Sequence, residues 1–397
     1  MLYDPARFDP LTETAWDVRR VSACIREIVD YTDAAYDDDD LWPADDWDAW
    51  QTPTPLLTLY VGAAGVIWAL DTLGRRGVAE SRLDLPAAAH AAVEAWRRQP
   101  DLMQGIELPE PARAGFLSGH AGVVAVAHRL DPSDELADEL YGLVTDNIPN
   151  TATGVMWGSP GTMLVARSVF DTTGDERWAD VWRESAARLL DAREPDGSWE
   201  QRLYGETFRG LGTTYGLVGN ALALLDGREW LSDETLTRGT VEILRETAVC
   251  ENGLVNWPGS VGGPLLGEGN EVKLQWCCGA PGIAVSAVSY LDEDLLLAAA
   301  NTVWRAGPHV SEKGSAICHG TAGNGYALLA AFERTGDEVW LDRARRFAVH
   351  ALEQAAAARA QRGRGRYSLW TGDLGVALFA ADCLHAQTRY PVLATWE

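Results

Sequence analysis

The sequence predicts an all-α protein, an α/α toroid in which seven inner helices are surrounded by seven outer helices. Three observations carry this prediction: a G-x-x-G motif recurs seven times along the 397 residues, an apolar run follows each motif, and an amphipathic segment separates successive runs. A helix that is apolar on all sides must be covered on all sides, and closing the repeats into a ring supplies that cover. We expect residues 1–397 to form one domain of this kind.

The seven motifs mark where the inner helices begin. Each run after a motif is apolar nearly all round and contains many Ala, Val and Leu residues, which is typical of a buried helix. Glycine allows backbones to approach closely and helix N-termini carry free N–H groups, so the motifs should surround one end of the toroid. The glycine pairs are Gly62/Gly65, Gly119/Gly122, Gly158/Gly161, Gly216/Gly219, Gly279/Gly282, Gly320/Gly323 and Gly372/Gly375.

The amphipathic segments between the motifs predict the outer helices. Their apolar residues recur at helical spacing and share one face. Two of them open with Thr-Gly-Asp, where the Asp is a typical N-cap. The predicted outer helices span 13–30, 84–98, 133–145, 174–192, 232–248, 292–305 and 336–354.

The charge and the cysteine content restrict the partners and the location. Lys and Arg number 33 against 58 Asp and Glu, a net charge of −25, which repels nucleic-acid phosphates and anionic lipid. The sequence has no long apolar run for a membrane span and no signal peptide at its start, so we expect a cytoplasmic protein. Six cysteines are too few for a disulfide framework, which leaves core packing, metal binding or catalysis as their roles.

Two neighbouring repeats carry cysteine inside the motif. Cys277 precedes the fifth motif, and Cys318 with His319 precedes the sixth. A toroid would bring these residues to the same end of adjacent inner helices. Two thiolates and one imidazole suit a tetrahedral zinc ion with an open fourth position, as in catalytic zinc sites. The alternative is a pair of buried thiols beside an unrelated histidine.

The two lysines of the chain lie just before these cysteines. The sequence uses Arg 31 times, but Lys only at Lys273, four residues before Cys277, and at Lys313, five residues before Cys318. An ammonium group is a compact charge that can bind a carboxylate or an enolate oxygen. Zinc held by thiolates deprotonates a bound thiol, so this combination suits thiol addition as well as hydrolysis. The alternative is that both lysines are surface residues.

Two segments around these cysteines resemble the lanthionine synthetase C-like (LanC-like) family. They are W-C-x-G-A-P-G at 276–282 and C-H-G-x-A-G-N at 318–324, and the seven repeats extend the resemblance over nearly the whole chain. The resemblance implies a seven-repeat α/α toroid with one Zn²⁺ bound by Cys277, Cys318 and His319. It also implies thioether formation, the addition of a thiolate to dehydroalanine or dehydrobutyrine.

The family contains two kinds of thiol addition. Bacterial cyclases act within a lanthipeptide precursor, and a eukaryotic-like branch adds glutathione. The resemblance therefore implies a dehydrated peptide, a small-molecule thiol, or both as partners, and association with a dehydratase. Basic positions of the family fall on Lys273 and Lys313, which the resemblance makes candidate catalytic residues.

The sequence departs from the family pattern at three positions. Tyr215 stands where the family has an acid/base histidine, Gly154 stands where an acidic residue is usual, and Cys278 stands where His or Tyr is common. We expect Tyr215 to protonate the enolate, which implies either slower addition or a pKa lowered by the nearby zinc and lysine. We expect Cys278 to point away from the metal.

The leading interpretation is a zinc-dependent enzyme that adds a thiol to a dehydroamino acid in a peptide, either by cyclisation or with a small thiol. A second interpretation is a zinc-stabilised LanC-like binding or regulatory protein whose catalysis is impaired. A third, suggested by 17 tryptophans, is an α/α-toroid glycosidase. It would need paired inward carboxylates, for which Glu206 and Asp373 are the candidates.

Overall fold

The computed structural model describes residues 1–231, 235–267, 271–393 and 396, and within them the α/α toroid is confirmed. Fourteen α-helices of this described part alternate between an outer and an inner layer. The outer helices are α1 (Val18–Ala34), α3 (Leu85–Arg98), α5 (Asp134–Asn147), α7 (Glu176–Asp191), α9 (Leu236–Thr247), α11 (Glu293–Ala306) and α13 (Glu338–Arg362). The inner helices are α2 (Ala63–Arg75), α4 (His120–Leu130), α6 (Ser159–Thr173), α8 (Leu217–Asp226), α10 (Ala280–Ser286), α12 (Thr321–Thr335) and α14 (Asp373–His385).

Short strands and turns fill the loops between these helices. Strands β1 (Gln201–Leu203) and β2 (Glu206–Phe208) form one antiparallel hairpin, and β3 (Val249–Glu251) and β4 (Leu254–Asn256) form another. Single 3-10 turns lie at Pro5–Arg7, Glu110–Ala114 and Arg228–Trp230. No helix in the described ranges is both long enough and apolar enough to span a membrane.

The second glycine of each motif has a steric role. In every repeat, a Cβ at this glycine would overlap the carbonyl oxygen of the residue six positions earlier. Gly282, for example, lies against the Trp276 carbonyl, and Gly323 lies against the Ile317 carbonyl. The start of each inner helix therefore packs directly on the backbone that leads into it. This contact fixes the loop between the second glycine and the residue six positions earlier.

The two layers differ in burial as the sequence predicts. The inner helices α12 and α14 are buried for most of their length, whereas α7 turns Trp178 and Trp182 inward and its charged residues outward. The Asp175 and Asp337 side chains accept hydrogen bonds from the first turns of α7 and α13, as expected for N-caps. The ring closes because α14 packs against both α1 and α2.

Two helix bounds differ from the predicted ones, and one inner helix is short. Helix α1 begins at Val18 because the Asp17 side chain caps it, and the alanine-rich segment after residue 354 continues α13 to Arg362. Helix α10 ends early, at Ser286, where the chain turns and the amides of residues 290 and 291 both bond to the Ala287 carbonyl. The first residues of the predicted helix 232–248 lie outside the described residues, and α9 begins at Leu236.

Candidate metal centre

Cys277, Cys318 and His319 lie together at the N-terminal ends of α10 and α12. The two sulfur atoms and an imidazole nitrogen are all within 4.8 Å of one another. The Cys277 N–H also donates a hydrogen bond of 3.1 Å to the Cys318 carbonyl, which ties the two loops together. Two thiols and one imidazole match the ligands that zinc prefers, so these residues fit a zinc ion.

Each cysteine sulfur accepts a hydrogen bond from a neighbouring side chain. The Tyr60 hydroxyl donates to Cys318 Sγ at 2.8 Å, and the Gln275 amide donates to Cys277 Sγ at 2.9 Å. Groups of this kind orient metal ligands and tune their basicity. We did not predict either residue from the sequence, although Tyr60 stands two residues before the first glycine of its motif, as both cysteines do.

The surroundings shift the pKa values of the two thiols in opposite directions. A hydrogen bond from Cys318, together with Gln275 and the two lysines, lowers the pKa of Cys277 in spite of its burial. Burial raises the pKa of Cys318 well above its ordinary value. The pair therefore favours one thiolate and one thiol that share a proton, and metal binding would release that proton.

His319 is kept neutral and is covered by an aromatic ring. Burial, assisted by the charges of Lys313 and Arg366, lowers the pKa of His319 to about 4. A neutral imidazole is the form that binds metals. The Trp47 ring lies 5.4 Å from the His319 ring, centroid to centroid, while 61% of Trp47 remains exposed.

Trp47 belongs to an acidic loop, residues 37–48, which arginines hold against the toroid. Arg366 forms a bidentate ion pair with the buried carboxylate of Asp48, at 2.5 and 2.8 Å. Arg362 lies 3.5 Å from Asp45, and the Arg366 guanidinium also lies over the Trp47 ring. The loop is thus fastened beside the histidine of the candidate metal centre.

The two lysines act on the cysteines by charge. The charges of Lys273 and Lys313 lower the pKa of Cys277, and the charge of Lys313 partly opposes the rise in the pKa of Cys318. Lys273 is exposed, whereas Lys313 is half-buried with its Nζ 3.6 Å from Glu271 Oε1. Their positive charge is therefore felt at the thiols.

Tyr215 is half-buried and lies against a second tyrosine. Its hydroxyl is 3.2 Å from the Tyr204 hydroxyl, which in turn accepts a hydrogen bond of 2.8 Å from Trp157. Burial, with Tyr204 and the two cysteines as further causes, raises the pKa of Tyr215 well above its ordinary value. Of the two outcomes that the sequence left open, slower addition or a lowered pKa, desolvation of the phenol favours slower addition.

The other two departures from the family pattern have structural explanations. Gly154 has a φ of 91°, and a Cβ there would overlap the Thr214 carbonyl, so no acidic side chain can replace it in this backbone. Cys278 is not among the three grouped ligands, and burial raises its pKa to about 12.

The carboxylates proposed for a glycosidase have other surroundings. Asp373 is buried at the start of α14, where it accepts hydrogen bonds from the Tyr31 hydroxyl and the Arg366 amide. Glu206 lies exposed on the hairpin of β1 and β2. The two carboxylates therefore do not form the inward-facing pair of acid and base that a glycosidase needs.

Comparison with known proteins agrees with this architecture. Residues 53–394 match the family described as "Lanthionine synthetase C-like protein". The solved structure of a nisin cyclase superposes with a TM-score of 0.59 over 95% of this chain and 97% of that one, at 17% sequence identity. The likeness is therefore one of fold.

Two curated relatives match shorter stretches. "Glutathione S-transferase LANCL1" of Danio rerio is 28% identical over 153 residues, which is 36% of either chain. "LanC-like protein GCL1" of Arabidopsis thaliana is 30% identical over 162 residues, 39% of this chain and 35% of the relative. The chain thus aligns with about a third of the length of each relative.

Proposed function

The chain belongs to the lanthionine synthetase C-like family, and on that premise we propose that it is a zinc-dependent enzyme that forms thioethers. Its reaction would be the addition of a thiol to dehydroalanine or dehydrobutyrine in a peptide. The observation that carries the proposal is the grouping of Cys277, Cys318 and His319 at the ends of two adjacent inner helices, within the field of both lysines.

In this proposal Cys277, Cys318 and His319 hold the Zn²⁺. When bound, the zinc supplies Lewis acidity that lowers the pKa of a substrate thiol. Tyr60 and Gln275 orient the two cysteine ligands through the hydrogen bonds at their sulfurs. The neutral imidazole of His319 needs no deprotonation before it binds the metal.

The remaining residues would manage the charge that the reaction creates. The thiolate sulfur forms a bond to the β-carbon of the dehydroamino acid, and the electrons of its double bond move to the neighbouring carbonyl as an enolate. The ammonium groups of Lys273 and Lys313 stabilise the enolate oxygen or bind an anionic thiol. Tyr215 donates the proton that the α-carbon requires, and the proton that the substrate thiol released restores the phenol, so that the addition is complete without net gain or loss of protons.

The proposed partners follow from this chemistry. They are a dehydrated peptide, a small-molecule thiol, or both, together with a dehydratase that prepares the peptide. Removal of water from Ser or Thr must precede the addition, since it creates the double bond. All six cysteines are free, which suits the cytoplasmic location that we propose.

The test measures metal and product in the same preparations. Purified protein should hold one zinc per chain and, given glutathione or a cysteine-containing dehydroalanine peptide, should form a thioether detectable by mass spectrometry. Cys277→Ala and Cys318→Ala should lose zinc and activity, whereas Cys278→Ala, the matched control, should keep zinc. Zinc retained in Cys277→Ala but lost in Cys278→Ala would refute the ligand assignment.

One observation favours a second candidate function. The raised pKa of Tyr215 makes this phenol a weak proton donor. This favours a zinc-stabilised binding protein whose catalysis is impaired. A parent protein that holds zinc and binds a dehydrated peptide, yet forms no thioether with any thiol, would establish this alternative.

A further inference from the structure

Equivalent residues of the seven repeats form a closed chain of hydrogen bonds around the toroid. Each stands two positions before the first glycine of its motif. Six of the seven links are backbone bonds, in which the N–H of one repeat donates to the carbonyl of the next. They run Tyr60 to Leu117 (2.8 Å), Leu117 to Met156 (3.3 Å), Met156 to Thr214 (3.4 Å), Cys277 to Cys318 (3.1 Å), Cys318 to Trp370 (2.9 Å), and Trp370 back to Tyr60 (3.2 Å).

The seventh link, between the fourth and fifth repeats, is made by a side chain. The Thr214 hydroxyl donates to the Cys277 carbonyl at 3.2 Å. Thr214 is buried, with 1% of its surface exposed. Its own carbonyl accepts the bond from Met156, so Thr214 connects the third repeat to Cys277, the first of the proposed metal ligands.

The backbone on both sides of this link differs from that of the other repeats. In five repeats the first glycine of the motif has a φ between −134° and −85°. In the fourth and fifth repeats φ is 142° at Gly216 and 110° at Gly279. The two loops on either side of the seventh link therefore enter their helices differently from the other five, and a hydroxyl bridges them.

We propose that Thr214 is a positioning residue for the metal centre, whose hydroxyl closes the ring of hydrogen bonds and fixes Cys277 relative to Cys318. This inference rests on the proposed function, since it concerns the ligands of the proposed zinc. Cys277 is held on one side by its N–H bond to Cys318 and on the other by the Thr214 hydroxyl on its carbonyl. Without the second bond, the Cys277 loop is fastened on one side of the ring.

The effect should appear in metal binding, because partners outside the ligand shell orient the ligands and typically change metal affinity by 10- to 100-fold. Thr214→Val keeps the shape of the side chain and removes the hydroxyl. We expect it to weaken Zn²⁺ binding by about tenfold, measured by competition with a chromophoric chelator. We also expect it to shift the visible absorption bands of the Co²⁺-substituted protein.

Two variants and one further measurement separate positioning from folding. Thr214→Ser retains a hydroxyl and should restore the affinity and the Co²⁺ spectrum of the parent. Thr240→Val removes a buried hydroxyl from α9, outside the ring, and should behave as the parent. In metal-free protein, hydrogen–deuterium exchange should be faster in Thr214→Val in the peptide that contains Cys277, because the ring is open there.

The outcomes distinguish this inference from the proposed function. Parent affinity, spectrum and exchange in Thr214→Val would overturn the role of Thr214, whatever the activity. A parent protein that binds no Zn²⁺ would refute the proposed function instead. The exchange measurement would then still decide whether the Thr214 hydroxyl restrains the Cys277 loop.

Discussion

In the proposed reaction, the tyrosine of the fourth repeat, Tyr215, protonates the enolate. An unperturbed phenol has a pKa of about 10, and burial beside Tyr204 raises the pKa of Tyr215 further. The strength of a general acid follows its pKa, so this phenol gives up its proton reluctantly near neutral pH. Slow proton transfer is therefore the expected cost of this substitution.

Tyr215 variants test this proton transfer. We expect Tyr215→Phe to slow thiol addition by about tenfold or more, and Tyr215→His to match or exceed the parent near pH 7. Both should keep their zinc, because Tyr215 is not among the grouped ligands. The measurement is the rate of adduct formation on a dehydroalanine peptide. Equal rates in all three proteins would reduce Tyr215 to a packing residue.

The lysines should contribute to the rate without holding the fold. Replacing Lys273 or Lys313 by Met removes a charge that lowers the pKa of Cys277, and we expect each change to reduce adduct formation about tenfold with zinc content unchanged. Arg19→Met, an exposed position on α1, is the control for the loss of a positive charge. Full activity in both lysine variants would show that neither lysine takes part in the reaction.

At the scale of the helix, the space around a glycine differs between the inner and the outer layer. Gly325 lies in the middle of α12, and a Cβ there would overlap the Phe379 ring of α14. Gly142 lies in the outer helix α5, with open space around the position of its Cβ. The same substitution should therefore have opposite effects at the two sites.

We expect Gly325→Ala to lower the free energy of unfolding by about 1–3 kcal/mol, because it overpacks the inner layer. Gly142→Ala should raise it by about 0.5–1 kcal/mol, because alanine favours the helix and meets no neighbour. Chemical denaturation of both variants beside the parent measures the difference. A neutral or stabilising Gly325→Ala would show that α12 and α14 can separate without penalty.

The helices could be predicted from the sequence because each repeat contains its own pattern of apolar and polar residues. An apolar run after a G-x-x-G motif and an amphipathic face before the next are local signals, and they identified both layers. Helix lengths were less predictable: α10 stops where the chain turns at Ala287, and α13 continues through alanines that carry little periodicity. Those bounds depend on packing and on turn geometry that a local pattern does not contain.

At the scale of the molecule, we propose that residues 1–397 unfold as one domain, and a buried carboxyl group makes that unfolding depend on pH. Asp101 accepts hydrogen bonds from the amides of Leu57 and Thr58, which lead into α2, at 2.6 and 3.3 Å. Burial raises the pKa of Asp101 to about 7. In the unfolded chain the same group has a pKa of about 4.

The folded protein therefore holds a proton that the unfolded chain has lost between about pH 4 and pH 7. The stabilisation is complete below about pH 4 and is lost as the pH rises through 7. Asp101→Asn stays neutral and keeps an acceptor oxygen, so its free energy of unfolding should decline less with pH, by roughly 4 kcal/mol over this range. Denaturation at several pH values measures this, and parallel curves for parent and variant would contradict it.

Apart from Gln275, which is a near neighbour of Cys277, the residues of the site that the sequence did not reveal come from distant segments of the chain. The grouping of the candidate metal ligands was predictable because Cys277 and Cys318 stand at equivalent positions of adjacent repeats. Tyr60 reaches Cys318 across 258 positions of sequence, and Trp47 reaches His319 from a loop outside every repeat motif. Such contacts depend on how the first repeat meets the last and on how long loops fold back, and neither is written in a local pattern.

Because ion pairs hold the acidic loop against the toroid, the mobility of the loop should depend on ionic strength. Exposed ion pairs such as Arg362–Asp45 weaken in salt, since the screening length falls from about 10 Å at 0.1 M to about 3 Å at 1 M, whereas the buried Arg366–Asp48 pair resists screening. Concentrated salt should therefore loosen the loop while its inner anchor holds, so that Trp47 moves more freely over His319. Quenching of the protein's total tryptophan fluorescence by acrylamide should rise with NaCl in the parent and stay constant in Trp47→Phe, which lacks the responding ring.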